Sequence, residues 1–531
     1  MKNNYQARSV FLCLAFCAFL ADHAGAVSWW ARTIAGPGEN SLGSIQRTAD
    51  GGCVMTGYTQ SPNYDAWCVK LDSSGNISWQ KTYGGINTDT GVIVYPTADG
   101  SYMLAGNTES FGAGGGDIWC LKLDPSGNIS WQKTYGGIND DYLMAVHATP
   151  DGGWLLVGWT YSFGAGGRDG WCVKIDASGN ISWQKAYGGA GWDEITAVES
   201  TSDGGYIVVG NTYSFGAGSE DAWCMKLNAS GNIMWEKTYG GSSADVALGV
   251  NATGDGGYIL GGQTESFGAG GQDVWCVKIN ASGNVLWQKT YGGGGKDGLY
   301  GVNAAADGGP VFAGYTYSSG VGGADAWCVK LNASGDILWQ KTYGGLDGDY
   351  MHAVQPSSDG GYLYVGRSRS FSDGSSDGLC FRLDSAGTID ASCANLALNS
   401  NASVIASTAI AIGSSATITP TVVAGTPTSA IAVDSTAAMT VLCSGGTPGP
   451  TITSISSKTS KPGSSATIYG TGFSTDKKKD VIYFGTRKVK SISRAKATSL
   501  KLTIPKVKKG TVGVYVVANG QTSNAVQFEV K

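Results

Sequence analysis

Seven cysteines, Cys68, Cys120, Cys172, Cys224, Cys276, Cys328 and Cys380, each follow the last by 52 residues, and Trp precedes all but Cys380, where Leu379 stands instead. A chain with that period stacks one supersecondary unit many times over. One copy reads Asp141-Tyr-Leu-Met-Ala-Val-His-Ala-Thr-Pro-Asp-Gly-Gly153, Trp154-Leu-Leu-Val-Gly-Trp-Thr160, Asp169-Gly-Trp-Cys-Val-Lys-Ile-Asp176 and Asn180-Ile-Ser-Trp-Gln-Lys-Ala-Tyr-Gly188. Gly, Asn and Asp punctuate it into four short strands. In the third, Trp171, Val173 and Ile175 alternate with Cys172 and Lys174, so each sheet presents one bulky and one small face to its neighbours. Four strands every ~50 residues suit a propeller better than a solenoid, whose repeats are shorter and carry fewer elements. The expected fold is all-β, a seven-bladed β-propeller followed by a β-rich linker and an immunoglobulin-like β-sandwich.

The ends of the array set its phase. A Trp-bearing strand at Ser28-Trp-Trp-Ala-Arg-Thr-Ile34 precedes the first full unit, and after the seventh unit the matching Trp position is Ala391. The N-terminal strand is therefore expected to complete the last blade, closing the ring and removing exposed sheet edges. The Asp-Gly-Gly and Leu-Asp-x-Ser-Gly-Asn hairpins, nearly identical between copies, share one rim. The other rim carries the longer connections, after Tyr-Gly-Gly and along segments such as Ser110 to Asp117, and variable loops on a rigid frame make it the candidate binding face.

The first 26 residues combine Lys2 and Arg8, an apolar run from Val10 to Leu20 and Ala24-Gly-Ala26, the order of a cleavable signal peptide, with a mature start at Val27. Phe16 before Cys17 and Leu12 before Cys13 disfavour lipidation, and no later apolar run reaches the roughly 18 to 20 residues that span a bilayer. The expected location is secreted or cell-surface, with the periplasm as an alternative. The repeated cysteines stand on separate units, beyond the ~7 Å Cα reach of a disulfide, and read as small buried apolar residues. Cys393 and Cys443 bracket the Ser/Thr/Ala-rich segment and form the one plausible bridge. The expected domains are residues 1–26, 27–390, 391–449 and 450–531. The overall charge of −5 is uneven: residues 451–531 hold 15 Lys or Arg against 3 Asp or Glu, leaving −17 for the rest. The basic residues Lys477, Lys478, Lys479, Arg487, Lys488, Lys490, Arg494, Lys496, Lys506, Lys508 and Lys509 suit contact with a polyanion.

Leu71-Asp-Ser-Ser-Gly-Asn-Ile-Ser-Trp79, with copies ending at Trp131, Trp183, Trp235, Trp287 and Trp339, resembles the tryptophan-docking motif of quinoprotein dehydrogenase and outer-membrane assembly propellers. The resemblance implies an outermost strand whose Trp docks on the neighbouring motif. The whole unit also resembles exported bacterial and archaeal repeat proteins. Residues 450–531, with Lys461-Pro-Gly463, Ala466-Thr-Ile-Tyr-Gly-Thr-Gly-Phe473 and Val481-Ile-Tyr-Phe-Gly485, look like an IPT/TIG domain, which implies an immunoglobulin-like sandwich acting as spacer or adhesive module.

Enzyme chemistry finds little support in the repeat. A quinoprotein dehydrogenase would need adjacent cysteines near its cofactor, and the chain has none; its only histidines are His23, His147 and His352, so no cofactor or metal is expected. The Asp that opens every third strand, from Asp65 to Asp377, reads as a turn cap. Ligand-binding candidates are instead positions where copies disagree. On the innermost strand these are Gln46, Tyr95, His147, Glu199, Asn251, Asn303 and Gln355; at the end of the second they are Gln60, Glu109, Tyr161, Tyr213, Glu265, Tyr317 and Arg369. Aromatic and polar groups around a shallow funnel suit an extracellular glycan or protein ligand. The expected function is an exported, non-catalytic binding or adhesion protein. The alternatives are an extracellular polysaccharide hydrolase or lyase, using acids such as Glu109, Glu199 and Glu265, and a periplasmic assembly scaffold.

Overall fold

The computed structural model describes residues 30–389 except 36–37, 61–62, 358 and 373–374. It describes the backbone of seven short strands between 397 and 444, and residues 451–531 except 457–458, 472, 477–478, 486, 519–520 and 523–525. The expected signal peptide and the side chains of Cys393 and Cys443 lie outside these residues. Every described element is a strand, and the chain divides into two compact units.

The first unit contains seven repeated antiparallel sheets. Sheet 3 is representative: Asp141–Ala148, Trp154–Thr160, Asp169–Ile175 and Ile181–Gly188 pair in chain order. A bulge interrupts the innermost pair between Leu143 and Ala145, and it recurs in the other sheets, for instance between Leu299 and Gly301 and between Met351 and Ala353. Sheet 7 has only three strands of its own, Asp349–Pro356, Tyr362–Ser368 and Asp377–Leu383; the fourth is Trp30–Ala35, paired antiparallel with Thr33 opposite Leu379.

Alternation in the third strand packs the sheets on one another. Trp171, Val173 and Ile175 of sheet 3 cluster with Cys120 and Ile118 of sheet 2, while Cys172 on the opposite face packs with Trp223 and Leu227 of sheet 4. Cys380 and Val365 of sheet 7 meet Trp67 and Leu71 of sheet 1 in the same way. Trp67, Trp119, Trp171, Trp223, Trp275 and Trp327 are fully buried, and truncating one to Ala would cost about 3–5 kcal/mol. The repeated cysteines are free and buried, and burial raises their thiols well above the usual range.

The outer strands lock each sheet to the next. Trp79 Nε1 donates to the Pro125 carbonyl (3.1 Å), Trp183 to Ala229 (3.2 Å), Trp235 to Ala281 (3.1 Å) and Trp339 to Ser385 (3.0 Å). Four residues along, Tyr83, Tyr135, Tyr187, Tyr239, Tyr291 and Tyr343 donate to the turn carbonyls of Gly127, Gly179, Gly231, Gly283, Gly335 and Gly387. Sheet 7 reaches sheet 1 through Arg32, whose Nη2 donates to the Ser74 carbonyl at 3.1 Å.

The segment expected as a linker supplies a fifth strand to every sheet, in reverse order. Ala397–Asn399 pairs with the fourth strand of sheet 6, Ser403–Ala406 with that of sheet 5, Ile410–Gly413 with sheet 4 and Thr417–Pro420 with sheet 3. Thr426–Pro427 and Ile431–Asp434 follow on sheets 2 and 1, and Ala438–Ser444 pairs with Trp30–Ala35 of sheet 7. The Trp-bearing strand is thus fourth of five rather than the outermost. Residues rich in Thr, Ile, Val and Ala, alternating along short extended pieces, suit this role because backbone pairing makes few demands on the side chains.

The second unit is a two-sheet sandwich. Thr451–Ile455, Ser465–Thr471, Ser499–Thr503 and Ile492–Lys496 form one sheet; Thr459–Ser460, Val526–Val530, Gly510–Ala518, Asp480–Phe484 and Arg487–Lys488 form the other, with Gln521–Thr522 paired to Gly510–Ala518. Ile468, Leu500, Leu502, Phe484, Val514, Val516 and Phe528 fill the space between them.

Candidate functional site

Antiparallel pairing separates the two kinds of connection onto opposite edges of each sheet. At the tight-hairpin edge, a buried lysine of the third strand meets the aspartate of Asp-Gly-Gly: Lys174 with Asp151 at 2.8 Å, Lys226 with Asp203 at 2.6 Å, Lys278 with Asp255 at 2.7 Å and Lys330 with Asp307 at 2.7 Å. These pairs brace the frame.

At the other edge, the longer loops are stitched together. Gly116 N donates to Asp140 Oδ1 (2.9 Å) while Asp141 N donates to the Gly116 carbonyl (2.7 Å). In sheets 2 to 6 the aspartate opening the third strand caps the loop before it: Asp117 Oδ2 accepts from Ala113 N (2.9 Å), Asp169 from Ala165 (3.0 Å), Asp221 from Gly218 (2.9 Å), Asp273 from Ala269 (2.9 Å) and Asp325 from Val321 (2.8 Å). This agrees with the capping role expected for it. Its other carboxylate oxygen faces the first aspartate of the next sheet. A Cβ at Gly136 would overlap Asp117 Oδ1 and crowd Asp141 Oδ2, and Gly84, Gly188, Gly240, Gly292 and Gly344 sit between equivalent pairs. Burial, with repulsion from Asp141, raises Asp117 to about 7; burial likewise raises Asp65, Asp169 and Asp325 to about 6.

Strand direction divides the fourteen copy-variable positions into two groups. Tyr95, His147 and Glu199 lie near the tight-hairpin end of their strands. The Tyr95 hydroxyl donates to the Val146 carbonyl (3.1 Å) and His147 Nε2 lies 3.8 Å from Glu199 Oε1. Burial lowers His147 to about 4 and raises Glu199 to about 7, so the imidazole is neutral at pH 7. Asn303 Nδ2 donates to Gln355 Oε1 (3.2 Å), extending the same inter-sheet pattern.

The second group stands on the variable rim, one residue beyond the second strand in sheets 2 to 7 and at its last residue, Gln60, in sheet 1, and a common backbone bond fixes it there. Glu109 N donates to the Thr88 carbonyl, Tyr161 N to Asp140, Tyr213 N to Trp192, Glu265 N to Ala244, Tyr317 N to Lys296 and Arg369 N to Gly348. Glu109 and Glu199 therefore lie at opposite ends of the inner strands of two different sheets, levels that differ by about 20 Å along a strand at ~3.3 Å per residue. The single funnel expected from the sequence resolves into two separate sets.

Two aromatic clusters rise from this rim. In the first, Tyr142 stacks on Trp159 (ring centroids 4.8 Å apart, 20° between planes) and Trp159 meets Tyr161 edge-on at 5.4 Å. The Arg168 guanidinium lies 5.0 Å from the Trp159 ring centre and 5.6 Å from that of Trp192, and binds Glu194 at 2.8 Å. Trp192 packs edge-on to Tyr213 at 6.2 Å, Tyr213 donates to Glu220 Oε2 (2.9 Å) and Tyr142 to Glu109 Oε1 (3.3 Å). Trp192 is 54% and Tyr213 49% exposed, an unusual investment of aromatic surface in solvent. In the second cluster, Tyr315 contacts Tyr300 (5.4 Å), Tyr317 (6.0 Å) and Tyr350 (5.3 Å), and Arg367 covers the Tyr350 ring at 4.9 Å. Tyr300 meets His352 at 5.1 Å, and both occupy bulge positions. Burial, aided by Arg367, lowers His352 to about 4.

Sequence reasoning reached Glu109, Tyr161, Tyr213, Tyr317 and Arg369 but missed Trp159, Arg168, Trp192, Tyr315, Tyr350 and Arg367. The same criterion could have found three of them, Trp159, Tyr315 and Arg367: the position two before Tyr161 reads Tyr58, Asn107, Trp159, Asn211, Gln263, Tyr315 and Arg367 across the copies. Among the described residues no group of three or more His, Cys, Asp or Glu is placed to hold a metal ion, and no helix is long and apolar enough to cross a membrane.

Comparison with known proteins speaks to the second unit. Residues 450–530 match the IPT/TIG domain. This is an IPT/TIG domain. Over 78 residues the chain is 42% identical to a cyclomaltodextrin glucanotransferase of Bacillus sp. (strain 6.6.3), a span of 14% of this chain and 11% of that protein. Over 213 residues it is 24% identical to the regulatory protein FlaEY of Caulobacter vibrioides, covering 38% of this chain and 21% of that one. The chain thus spans about a tenth to a fifth of the length of these relatives. Among solved structures it is similar to Sqt1 from Chaetomium thermophilum, at 13% identity and a TM-score of 0.36 over 67% of this chain and 87% of that one. A score this low assigns no fold. The repeated sheets fit a propeller-like repeat protein followed by the IPT/TIG domain.

Proposed function

We propose that this chain is an exported, non-catalytic binding protein in which a closed seven-bladed propeller of the tryptophan-docking type holds out its variable rim to an extracellular glycan. Closure is supported by the contacts of sheet 7 with sheet 1, through Arg32 on Ser74 and Cys380 on Trp67. The tryptophan-docking reading is supported by the Trp-to-turn bonds between successive sheets. The observation that carries the function is the pair of exposed rings Trp192 and Tyr213, set with half-buried Trp159 around Arg168. Flat rings with polar groups at their margins bind sugars by stacking on C–H faces and hydrogen-bonding hydroxyls. The 78-residue likeness to glucanotransferases is in keeping with a polysaccharide setting.

A glycan-binding screen with parallel turnover assays tests this reading. Wild type is expected to retain a glycan without product release, and a Trp192→Ala, Tyr213→Ala double variant to lose it. Product release by wild type would favour the hydrolase reading, which one arrangement supports: Glu220, raised by burial, lies beside Glu194, itself held by Arg168. In that case Glu220→Gln should abolish turnover.

The IPT/TIG domain adds a contact for polyanions in this reading. Arg487, Lys488, Arg494 and Lys496 lie exposed on the edge strands of its two sheets. The isolated domain should bind a heparin column at low salt and elute as salt screens the charges; flow-through at low salt would remove the proposal.

A further inference from the structure

The two aromatic clusters of the rim differ in charge. In the first, Glu194 neutralises Arg168 at 2.8 Å, with Glu109 and Glu220 hydrogen-bonded nearby. In the second, Arg367 has no carboxylate partner among the described residues; its guanidinium rests on the Tyr350 ring. Arg369 beside it is joined to Glu39 at 3.2 Å, with half its side chain in solvent. Together Arg367, Arg369, Tyr317, Tyr350 and Ser376 line a cleft of about 270 Å³.

Ser376 supplies the second observation. The residue is 2% exposed, its Oγ is buried without a hydrogen-bond partner among the described residues, and it lines the same cleft. An orphaned buried hydroxyl forfeits its hydration, a deficit that a ligand oxygen would relieve. Tyr317 and Tyr350, whose hydroxyls lie 3.3 Å apart, offer further donors at the cleft mouth.

We propose that this cleft binds the acidic unit of an anionic polysaccharide, the carboxylate or sulfate pairing with Arg367 while the sugar packs on the Tyr317 and Tyr350 rings and a ring or acid oxygen meets Ser376 Oγ. The proposal rests on the glycan-binding reading above and adds the charge class. Guanidinium matches carboxylate and sulfate through parallel N–H donors, and stacking on Tyr350 holds its plane fixed before the ligand arrives. A cleft of this volume takes one sugar ring with its acidic substituent, consistent with recognition of a unit within a chain.

Calorimetry on the full chain at low salt tests it, with oligogalacturonate for the carboxylate, a heparin oligosaccharide for the sulfate and maltohexaose as the neutral probe. At least one acidic oligosaccharide is expected to bind at least about tenfold more tightly than maltohexaose, and which one identifies the acid. Arg367→Gln should weaken that binding by about tenfold or more, Arg367→Lys by less, and Ser376→Ala by a few-fold. The Tm of each variant verifies folding. Unchanged affinity in a folded Arg367→Gln variant would overturn the proposal. So would binding of maltohexaose in preference to both acidic probes, an outcome that would leave the glycan-binding reading standing. Failure of all three probes removes both.

Discussion

Asn40 Nδ2 faces Asp377 Oδ1 across 3.5 Å, at the junction of sheets 1 and 7. The other six junctions place two aspartates there, Asp65 with Asp89 through to Asp325 with Asp349. An amide facing a carboxylate attracts it, whereas two buried carboxylates repel, which favours a proton on one of them. Asp117 is the most perturbed of these acids that carries a value, at about 7, through burial and then Asp141. Replacing Asp117 with Asn keeps the acceptor for Ala113 N and offers Asp141 a donor. Asp117→Asn is expected to raise the Tm by a few degrees at pH 8 and by less at pH 5, where the native carboxyl is already protonated. Equal shifts at both pH values in scanning calorimetry would refute this.

The acids divide the pH profile of stability. Asp65, Asp117, Asp169, Asp325 and Glu199 are raised by burial to about 6 or 7. The native state therefore binds more protons than the unfolded chain above about pH 4, and stability falls as pH rises to 7. His147 and His352, lowered to about 4 by burial, act in the opposite sense over the same range but are fewer. Asp99 is lowered to about 2 by hydrogen bonds from Thr97 and Ser101, and Asp203 to about 2 by the Lys226 and Thr201 bonds. Stability from these acids is complete above about pH 4 and lost as pH falls toward 2. The Tm is expected to peak between about pH 4 and 5.5, and a Tm at pH 8 equal to that at pH 5 would contradict the assignment.

The Trp-to-turn bonds between sheets can be separated from their packing. Trp183→Phe removes the donor to the Ala229 carbonyl and the indole edge over Gly231 while keeping an aromatic ring toward Tyr206, and should cost at least about 0.5–1.5 kcal/mol. Trp183→Ala also removes packing against Tyr206 and should cost several-fold more. Denaturant titration distinguishes the two, and equal losses would mean that the packing retained by Phe contributes nothing beyond what Trp183→Phe already removes.

The reverse-running fifth strands cover edges that would otherwise pair between molecules. A chain ending at Asp390 keeps all seven four-stranded sheets but exposes Lys185–Gly188, Lys237–Gly240 and their equivalents. It is expected to associate in a concentration-dependent manner in light scattering, where the full chain does not. A truncated chain that stays monomeric would show that the edge needs no cover.

Glu199 and the rim clusters are predicted to be independent. Glu199→Gln should leave glycan affinity unchanged, because the residue stands about 20 Å from the rim along its strand. It should shift the pH dependence of the Tm, since burial raises the Glu199 carboxyl against the opposing hydrogen bonds of Ser200. A loss of binding equal to that of Trp192→Ala would place both residues in one site.

Local patterns in the sequence carried the four-strand unit, the alternation of Trp171 with Cys172, the turn-capping aspartates and the completion of sheet 7 by Trp30–Ala35. Side-chain alternation and turn chemistry depend on a few neighbouring residues, so the chain itself spells them out. The candidate site was partly legible for the same reason, since copy-to-copy variation marked Tyr161, Tyr213, Tyr317 and Arg369. Which of the variable residues meet was decided elsewhere. Tyr142 reaches Glu109 across 33 residues and Arg369 reaches Glu39 across 330, contacts that exist only once neighbouring sheets pack. The reversed course of residues 397–444 belongs to the same class: short strands of small and β-branched residues pair with any free edge, and only the assembled sheets offer edges in that order. The sequence alone determined the frame and its polarity, while tertiary packing decided that the rim carries one neutralised and one cationic cluster, because charge pairing depends on distance in space rather than separation along the chain.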